Sequence, residues 1–525
     1  MKKKSFREKM MASGIWILPF TMMISYKVFK TLDPNFMDNK LNILACMGLA
    51  IIPIFHFWAD QTGKPNENEA MIGKHKAMYP EISKELLRND LAGTIPLGWD
   101  KRSKRYVCKP LEEDGHIFLI GGSGSGKSSA YVIPALLVNK NARVFAVDIK
   151  GELSFKSEKY GSEHVLIFNP SDRSKYGYDP FYNLTEKSTT QQIMETMQTI
   201  AYSLISMPAG LKDPFWKNSA RNLLIGLLVY YYKQGTNDFV GIIDEILSRP
   251  VKESIQSVMD NAKPNSVEYR YIVQFKDMED ETLGGIVAEM NNHIVIFAND
   301  QDIRYAFKDN SCKLNPQKLE EGYSIYLSIK EEKLSAYYDV MQLIINQTLS
   351  QLEKRPEDSE PVIFVIDELP RILSAGKLDR LLDGARTLRS RKVCLYLITQ
   401  SIEALMSAFT ENEVSDLISN CPYIIVLSAS STKTQKSVCA WCGKYKVRKT
   451  SWSGGGNKDR KTTISYEEKD IVEPSDLMTL KNTGEAILIT PYGYSRVKKV
   501  PYYEDKILKP MAEEIVKYNK TVKRM

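Results

Sequence analysis

The sequence predicts an α/β protein: a mostly parallel sheet, an all-α domain inserted into it, and two transmembrane helices at the N-terminus. Three observations carry this reading. A glycine-rich segment sits between an apolar strand and a helix, later short apolar runs each end in polar residues, and the stretch between them turns to helical periodicity. At roughly 100–200 residues per domain, 525 residues allow two to four domains. The expected organisation is a membrane anchor over 1–60, a first part of the sheet domain over 61–184, the all-α insertion over 185–310, a second part of the sheet domain over 311–503, and a helical tail over 504–525. With 43% hydrophobic and 26% charged residues, a disordered or collagen-like chain is excluded. The net charge of +7 is too small to argue for nucleic-acid binding unless it is locally concentrated.

The anchor comes first. Met10 to Tyr26 and Leu41 to Ala59 lack charged residues up to their last positions, and each approaches the roughly 17–25 residues that cross a bilayer. Trp16, Tyr26, Phe57 and Trp58 supply interfacial aromatics. Lys2, Lys3, Lys4, Arg7 and Lys9 crowd the N-terminal side, against Lys27, Lys30 and Lys40 in the connecting loop. This bias predicts both termini in the cytoplasm, with a very short loop outside. A cleaved signal peptide fits less well, since a second span follows closely.

The sheet domain opens with His116 to Ile120, a short apolar strand, and then Gly121-Gly-Ser-Gly-Ser-Gly-Lys-Ser128. That segment matches G-x-x-x-x-G-K-[ST], and Ser129 to Val138 reads as the helix that follows. Glycines let backbone N–H groups turn inward as an anion nest at the positive end of a helix. Gly121, Gly122, Ser123, Gly124, Ser125, Gly126, Lys127, Ser128 and Ser129 are therefore the candidate nucleotide-binding residues. Lys127 would reach the β- and γ-phosphates of ATP, and the Ser128 hydroxyl would ligate Mg²⁺. Arg143 to Asp148 forms a second strand, placing Asp148 and Lys150 at the edge where open α/β sheets bind ligands. His164 to Phe168 forms a third, followed by Asn169-Pro170. For these strand-end groups an ordinary loop role stands beside the functional one.

From Thr185 to about Asn310 the pattern is helical: Gln191 to Met207, Asp213 to Lys233, Phe239 to Ser248, Val251 to Ala262 and Thr282 to Ala298. The apolar run Leu223 to Tyr232 is too short to cross a bilayer and reads as a buried helix. Strands resume at Tyr323 to Ile329. Pro361 to Ile366 then ends in Asp367 and Glu368, where Asp367 suits Mg²⁺ and Glu368 suits activation of an attacking water. Val393 to Ile398 ends in Thr399-Gln400-Ser401, with Gln400 placed to sense the γ-phosphate or merely to cap the strand. Arg386, Arg389 and Arg391 precede that strand as candidates for an arginine finger acting across a subunit boundary, Arg389 being favoured; a solvated or nucleic-acid-facing cluster is the alternative.

Tyr423 to Leu427 continues the sheet. Lys444, Lys446, Arg448, Lys449, Lys458, Arg460 and Lys461, with Tyr445 and Trp452, form either a DNA-contacting segment or a solvated hairpin. Glu485 to Thr490 is a further strand and Glu504 to Met525 a slightly basic helical tail. The seven cysteines are odd in number and scattered, which suits a reducing compartment. Cys439-Ala-Trp-Cys442 is either a redox dithiol or a buried helix carrying two thiols.

Taken together, the chain resembles the type IV secretion coupling proteins, the TraG/TraD-like ATPases of conjugation. The resemblance extends over nearly the whole length. It rests on the paired spans, Gly121 to Ser128, Asp148-Ile-Lys-Gly-Glu152, Phe168-Asn-Pro170, Phe215-Trp-Lys-Asn-Ser-Ala-Arg-Asn-Leu-Leu224, Ile366-Asp-Glu-Leu-Pro370 and Thr399-Gln-Ser401. It implies a RecA-like motor, anchored in the cytoplasmic membrane as a homo-hexamer, that feeds single-stranded DNA and its relaxase to type IV secretion channel components using ATP and Mg²⁺. It also implies that Lys127 and Ser128 bind nucleotide and metal, that Asp367 and Glu368 form the hydrolytic pair, that Gln400 links hydrolysis to movement, and that Arg389 lies where the family pattern places an arginine. Two departures stand out: the external loop is short, and the tail is not acidic. Two other readings remain, a docking receptor for secreted proteins that barely turns over ATP and a septal-type DNA-segregation motor.

Overall fold

The computed structural model describes residues 74–522 except 141, 174, 209 and 454–460, together with positions 23, 27 and 31. The expected spans Met10 to Tyr26 and Leu41 to Ala59 lie, but for Met23, outside the described residues. Among the described residues no helix is long and apolar enough to cross a membrane. The chain divides into two compact units, Pro80–Cys442 with Val472–Met525, and Met1–Tyr79 with Gly443–Ile471.

The first unit is organised by a 12-stranded sheet. Its strands in chain order are β1 (Leu87–Arg88), β2 (Thr94–Asp100), β3 (Arg105–Pro110), β4 (Ile117–Ile120), β5 (Arg143–Val147) and β6 (Val165–Phe168). A separate two-stranded pair, β7 (Gly177–Tyr178) and β8 (Lys313–Leu314), comes next. The large sheet continues with β9 (Ser324–Leu327), β10 (Val362–Ile366), β11 (Val393–Thr399) and β12 (Tyr423–Val426). In the second unit β13 (Lys444–Ser453) pairs antiparallel with β14 (Lys461–Asp470). In the first unit β15 (Glu485–Thr490) and β16 (Gly493–Lys498) complete the large sheet.

The order across the large sheet is β1-β3-β2-β16-β15-β12-β4-β11-β10-β5-β9-β6. From β12 to β6 every neighbouring pair is parallel; from β15 to β1 every pair is antiparallel. Parallel strands need cover on both faces, which explains why β4, β10 and β11 are buried at every residue and read as unbroken apolar runs. The β2–β3 hairpin went unread in the sequence because Pro96 and Gly98 sit inside β2, where the register shifts.

Between β7 and β8 the chain is mainly helical, with helices at Thr190–Leu204, Phe215–Lys233, Phe239–Leu247, Val251–Asn261, Val267–Ile272 and Asp280–Asn299. Thr189 starts the first through a capping box with Gln192. The Phe215–Lys233 helix buries Leu223 through Tyr231, as its apolar run predicts. At Gly226 an added Cβ would stand 2.6 Å from Ile272 Cδ1, so glycine is what lets the Val267–Ile272 helix pack there.

The C-terminal helix Leu508–Val522 is tied to the body by a buried amide. Asn519 donates to the carbonyls of Phe155 and Glu158 at 2.8 and 2.7 Å and accepts from the Tyr160 N–H at 2.8 Å. Cys439 and Cys442 are both buried on the Thr432–Cys442 helix, and burial pushes the Cys442 thiol up to about 12. That is the opposite of what a reactive dithiol requires, so the buried-helix reading holds. In the second unit, register places Lys444 opposite Asp470 and Lys446 opposite Glu468, so the base of the basic hairpin is charge-balanced.

Candidate functional site

Register decides where the functional groups fall. In β4, β11 and β10, Ile120 pairs with Thr399 and Leu397 pairs with Ile366, so three strand ends meet at one edge. Gly121, Gln400 and the pair Asp367 and Glu368 leave the sheet there, with β11 between the glycine-rich loop and the acids. This is the carboxyl edge where open α/β sheets take ligands.

The loop is held by its own geometry. Gly126 has φ +94, a left-handed value that glycine adopts without strain. A Cβ on Gly121 would stand 2.5 Å from Ser125 Oγ and 3.0 Å from Leu427 Cβ. The Gly121 N–H donates to the Thr399 carbonyl at 3.0 Å, and the Gly122 N–H donates to Ser428 Oγ at 3.0 Å. Ser123 and Gly124 are exposed at the loop's tip. Ser128 begins a π-helical turn, Ser128–Val132, that runs into the helix Ile133–Val138. Ser129 is half-buried, and its carbonyl accepts the Tyr502 N–H at 2.9 Å.

Lys127 bends back under the loop. Its Nζ donates to the Gly121 carbonyl at 2.9 Å and lies 3.1 Å from Glu368 Oε1. Gln400 Nε2 donates to the other carboxylate oxygen of Glu368 at 2.9 Å. Thus Lys127, Glu368 and Gln400, far apart in the chain, form one hydrogen-bonded row. Glu368 adopts φ 63 and ψ 54, a left-handed backbone that costs a non-glycine residue about 1–2 kcal/mol. The turn separates it from Asp367, so the two neighbouring acids face different partners.

Their environments separate them chemically as well. Burial pushes the Asp367 carboxyl up, the nearby Glu368 and Asp148 charges push it further, and together they take it to about 7 despite Lys127 and Lys150. Burial also works against ionised Glu368, but the Gln400 amide and the Lys127 ammonium outweigh it and hold that carboxyl below its ordinary value. One acid is a ready carboxylate, while the other awaits a positive neighbour. Asp367 Oδ1 is buried without a hydrogen-bond partner, and such an orphaned oxygen beside a hydroxyl-bearing phosphate loop fits a hard cation.

A stability prediction follows from Asp367. An acid raised from 3.8 to about 7 favours the unfolded chain increasingly as pH rises through that interval, and the penalty is complete above it. Asp367→Asn should therefore melt higher than the parent at pH 8 in chelator, with the difference shrinking towards pH 5. Thermal melts at the two pH values check it, and a constant difference would contradict the charge argument.

Asp148, by contrast, is occupied. Its two oxygens accept from the Leu153 N–H at 3.2 Å and from the Ser154 N–H and hydroxyl, each at 2.8 Å, and so cap the Glu152–Ser157 helix. Lys150 is exposed at the same edge.

The three arginines lie elsewhere. They precede β11, whereas Gln400 follows it, so a strand of seven residues, roughly 20 Å, separates them from the phosphate loop of the same chain. Arg386 pairs with Asp416 at 2.7 Å, and Arg391 donates to the Arg355 carbonyl. The Arg389 side chain is exposed and forms no hydrogen bond or ion pair among the described residues. A polar cavity of about 840 Å³ lies apart from the site as well, lined by Tyr202, Arg221, Glu353 and Asp379 among others and by none of the loop residues.

Two residues that brace the loop escaped sequence reading. Ser428 lies two residues past β12 and follows the same strand-end logic that singles out Gln400. Lys499 donates to the Ser125 carbonyl at 3.1 Å, and no motif surrounds it.

Comparison with known proteins gives a consistent picture. Residues 66–525 match the family described as Type IV secretory system Conjugative DNA transfer. Protein VirD4 of Agrobacterium fabrum (strain C58) is 22% identical over 412 residues, covering 76% of this chain and 60% of that protein. VirD4 of Rhizobium rhizogenes is likewise 22% identical with the same coverage, so the match spans only 60% of these curated relatives' length. Among solved structures, the bacterial conjugative coupling protein TrwBdeltaN70 aligns with a TM-score of 0.62 at 16% identity, covering 81% of this chain and 96% of that one. TrwB in complex with ADPNP aligns with a TM-score of 0.62 at 15% identity, covering 81% and 93%, and TrwB with ADP and Mg²⁺ with a TM-score of 0.60 at 16% identity, covering 81% and 96%. The shared fold is a RecA-like P-loop ATPase fold with a mostly parallel sheet.

Proposed function

Because the chain belongs to the type IV secretory system conjugative DNA-transfer family, we propose that it is a coupling ATPase: a membrane-anchored motor that recruits a relaxase–DNA complex and drives single-stranded DNA towards a secretion channel. The observation that carries this reading is the row Lys127–Glu368–Gln400 beside the orphaned Asp367 oxygen, assembled at the mouth of a glycine-rich loop. The ADPNP and ADP–Mg²⁺ complexes of TrwB support ATP and Mg²⁺ as the ligands.

In this mechanism residues 121–129 cradle the triphosphate through backbone N–H groups, and Lys127 meets its β- and γ-phosphates. Ser128 and Asp367 would hold Mg²⁺, which neutralises phosphate charge when bound. Glu368, kept ionised, takes the proton of the water attacking the γ-phosphate. Gln400 shares that carboxylate and would link hydrolysis to movement. Arg389 is remote from its own loop and exposed, an arrangement suited to a neighbouring subunit's site in a homo-hexamer. The anchor over 1–60 would hold the assembly at the cytoplasmic membrane with both termini inside.

Steady-state ATP hydrolysis with and without single-stranded DNA tests the proposal. A motor is stimulated by DNA; a rate indifferent to DNA favours the docking receptor. Arg389→Ala should lower the rate about 10³–10⁵-fold, and mixing it with Lys127→Ala subunits should restore part of the activity. An Arg389→Ala rate near that of the parent would remove the finger assignment.

A further inference from the structure

Behind the phosphate loop lies a lysine that the mechanism does not use. Lys499 follows β16 directly and is 7% exposed. Its Nζ donates to the Ser125 carbonyl at 3.1 Å and to the Lys481 carbonyl at 3.4 Å, and it forms no ion pair among the described residues. Burial presses its ammonium below the usual lysine range. A desolvated cation with only neutral acceptors is costly unless negative charge arrives nearby. The segment is fixed at both sides: the Lys499 N–H donates to the Gly484 carbonyl at 2.9 Å, and the Tyr502 N–H donates to the Ser129 carbonyl at 2.9 Å.

Peptide geometry gives the contact a purpose. In a planar trans peptide the carbonyl of one residue and the N–H of the next point to opposite sides. With the Ser125 carbonyl held by Lys499, the Gly126 N–H of the same peptide is directed away from that lysine. Gly126, at φ +94 and without a Cβ, is where this peptide would otherwise rotate at little steric cost.

We propose that Lys499 is a positioning residue for the triphosphate: it pins the Ser125–Gly126 peptide in its anion-binding orientation and adds an unneutralised positive charge behind the loop. The assignment rests on the nucleotide-binding reading above. It concerns the phosphate chain and is indifferent to the base.

Titration of the full chain, purified in detergent, with a fluorescent ATP analogue tests it. Lys499→Met should weaken binding about tenfold or more, while Lys499→Arg, which keeps the charge and the donors, should stay within about threefold of the parent. The melting midpoint of Lys499→Met without nucleotide should be unchanged or higher, since a buried charge has gone. If that midpoint falls instead, Lys499→Gln, which can still donate to one carbonyl, is judged by the same affinity criterion. Binding by the neutral variant within about twofold of the parent, while Lys127→Ala has lost binding, overturns the role of Lys499 alone. A parent chain that binds no analogue overturns the nucleotide reading itself.

Discussion

Lys127→Ala should abolish the thermal stabilisation that ATP and Mg²⁺ confer and weaken ATP binding about a hundredfold or more, equivalent to about 3 kcal/mol. Lys127 is the one charged side chain within residues 121–129, and its Nζ donates to the Gly121 carbonyl at 2.9 Å. Lys499, the other lysine bonded to the loop, is engaged with the Ser125 carbonyl. The same substitution leaves Glu368 without its cation, so the midpoint without nucleotide should fall as well. The two effects separate cleanly in melts run with and without ATP. An ATP-induced rise equal to that of the parent would place the nucleotide elsewhere.

Glu368→Gln should lower hydrolysis about 10²–10⁴-fold while leaving binding intact or tighter. Glutamine is nearly isosteric and can still accept from Gln400, so the row of side chains survives. It cannot take a proton from water at neutral pH. It also releases Lys127 from a 3.1 Å ion pair with which the phosphates would otherwise compete. Single-turnover hydrolysis and analogue titration measure the two halves of this prediction. A rate within about tenfold of the parent would move the water-activating role to another group, with Asp367 the first to examine.

Much of this site was legible because its signals are local. A strand, a glycine-rich turn and a helix within 116–138 can be read without knowing the fold, as can an apolar run ending in Asp367-Glu368 or in Thr399-Gln400. The long helices from Thr190 to Asn299 were legible through periodicity, with ends shifted by a few residues. What stayed hidden depends on distant pairing. Ser428 meets Gly122 across 306 positions, and Lys499 meets Ser125 across 374. Ser428 shares the strand-end position of Gln400 but not its neighbouring motif, and no motif surrounds Lys499. Asp148 shows the converse: its place at the carboxyl edge suggests a ligand, but its oxygens are taken by the helix that starts at Glu152. Position alone could not separate the two uses; the hydrogen bonds do.

One feature of the sheet joins ends that the sequence treats as separate. β11 is buried along all seven residues and laddered on both sides, to β4 and to β10. Such a strand has almost no freedom to bend, so displacement at one terminus appears at the other as displacement of the whole rod. One terminus touches the carboxylate beside the loop, and the other carries the arginine turn on the opposite rim. In the hexameric motor proposed above, the strand would serve as a mechanical link, carrying a shift at the phosphate-loop rim to the arginine turn at the other end without any domain having to swing.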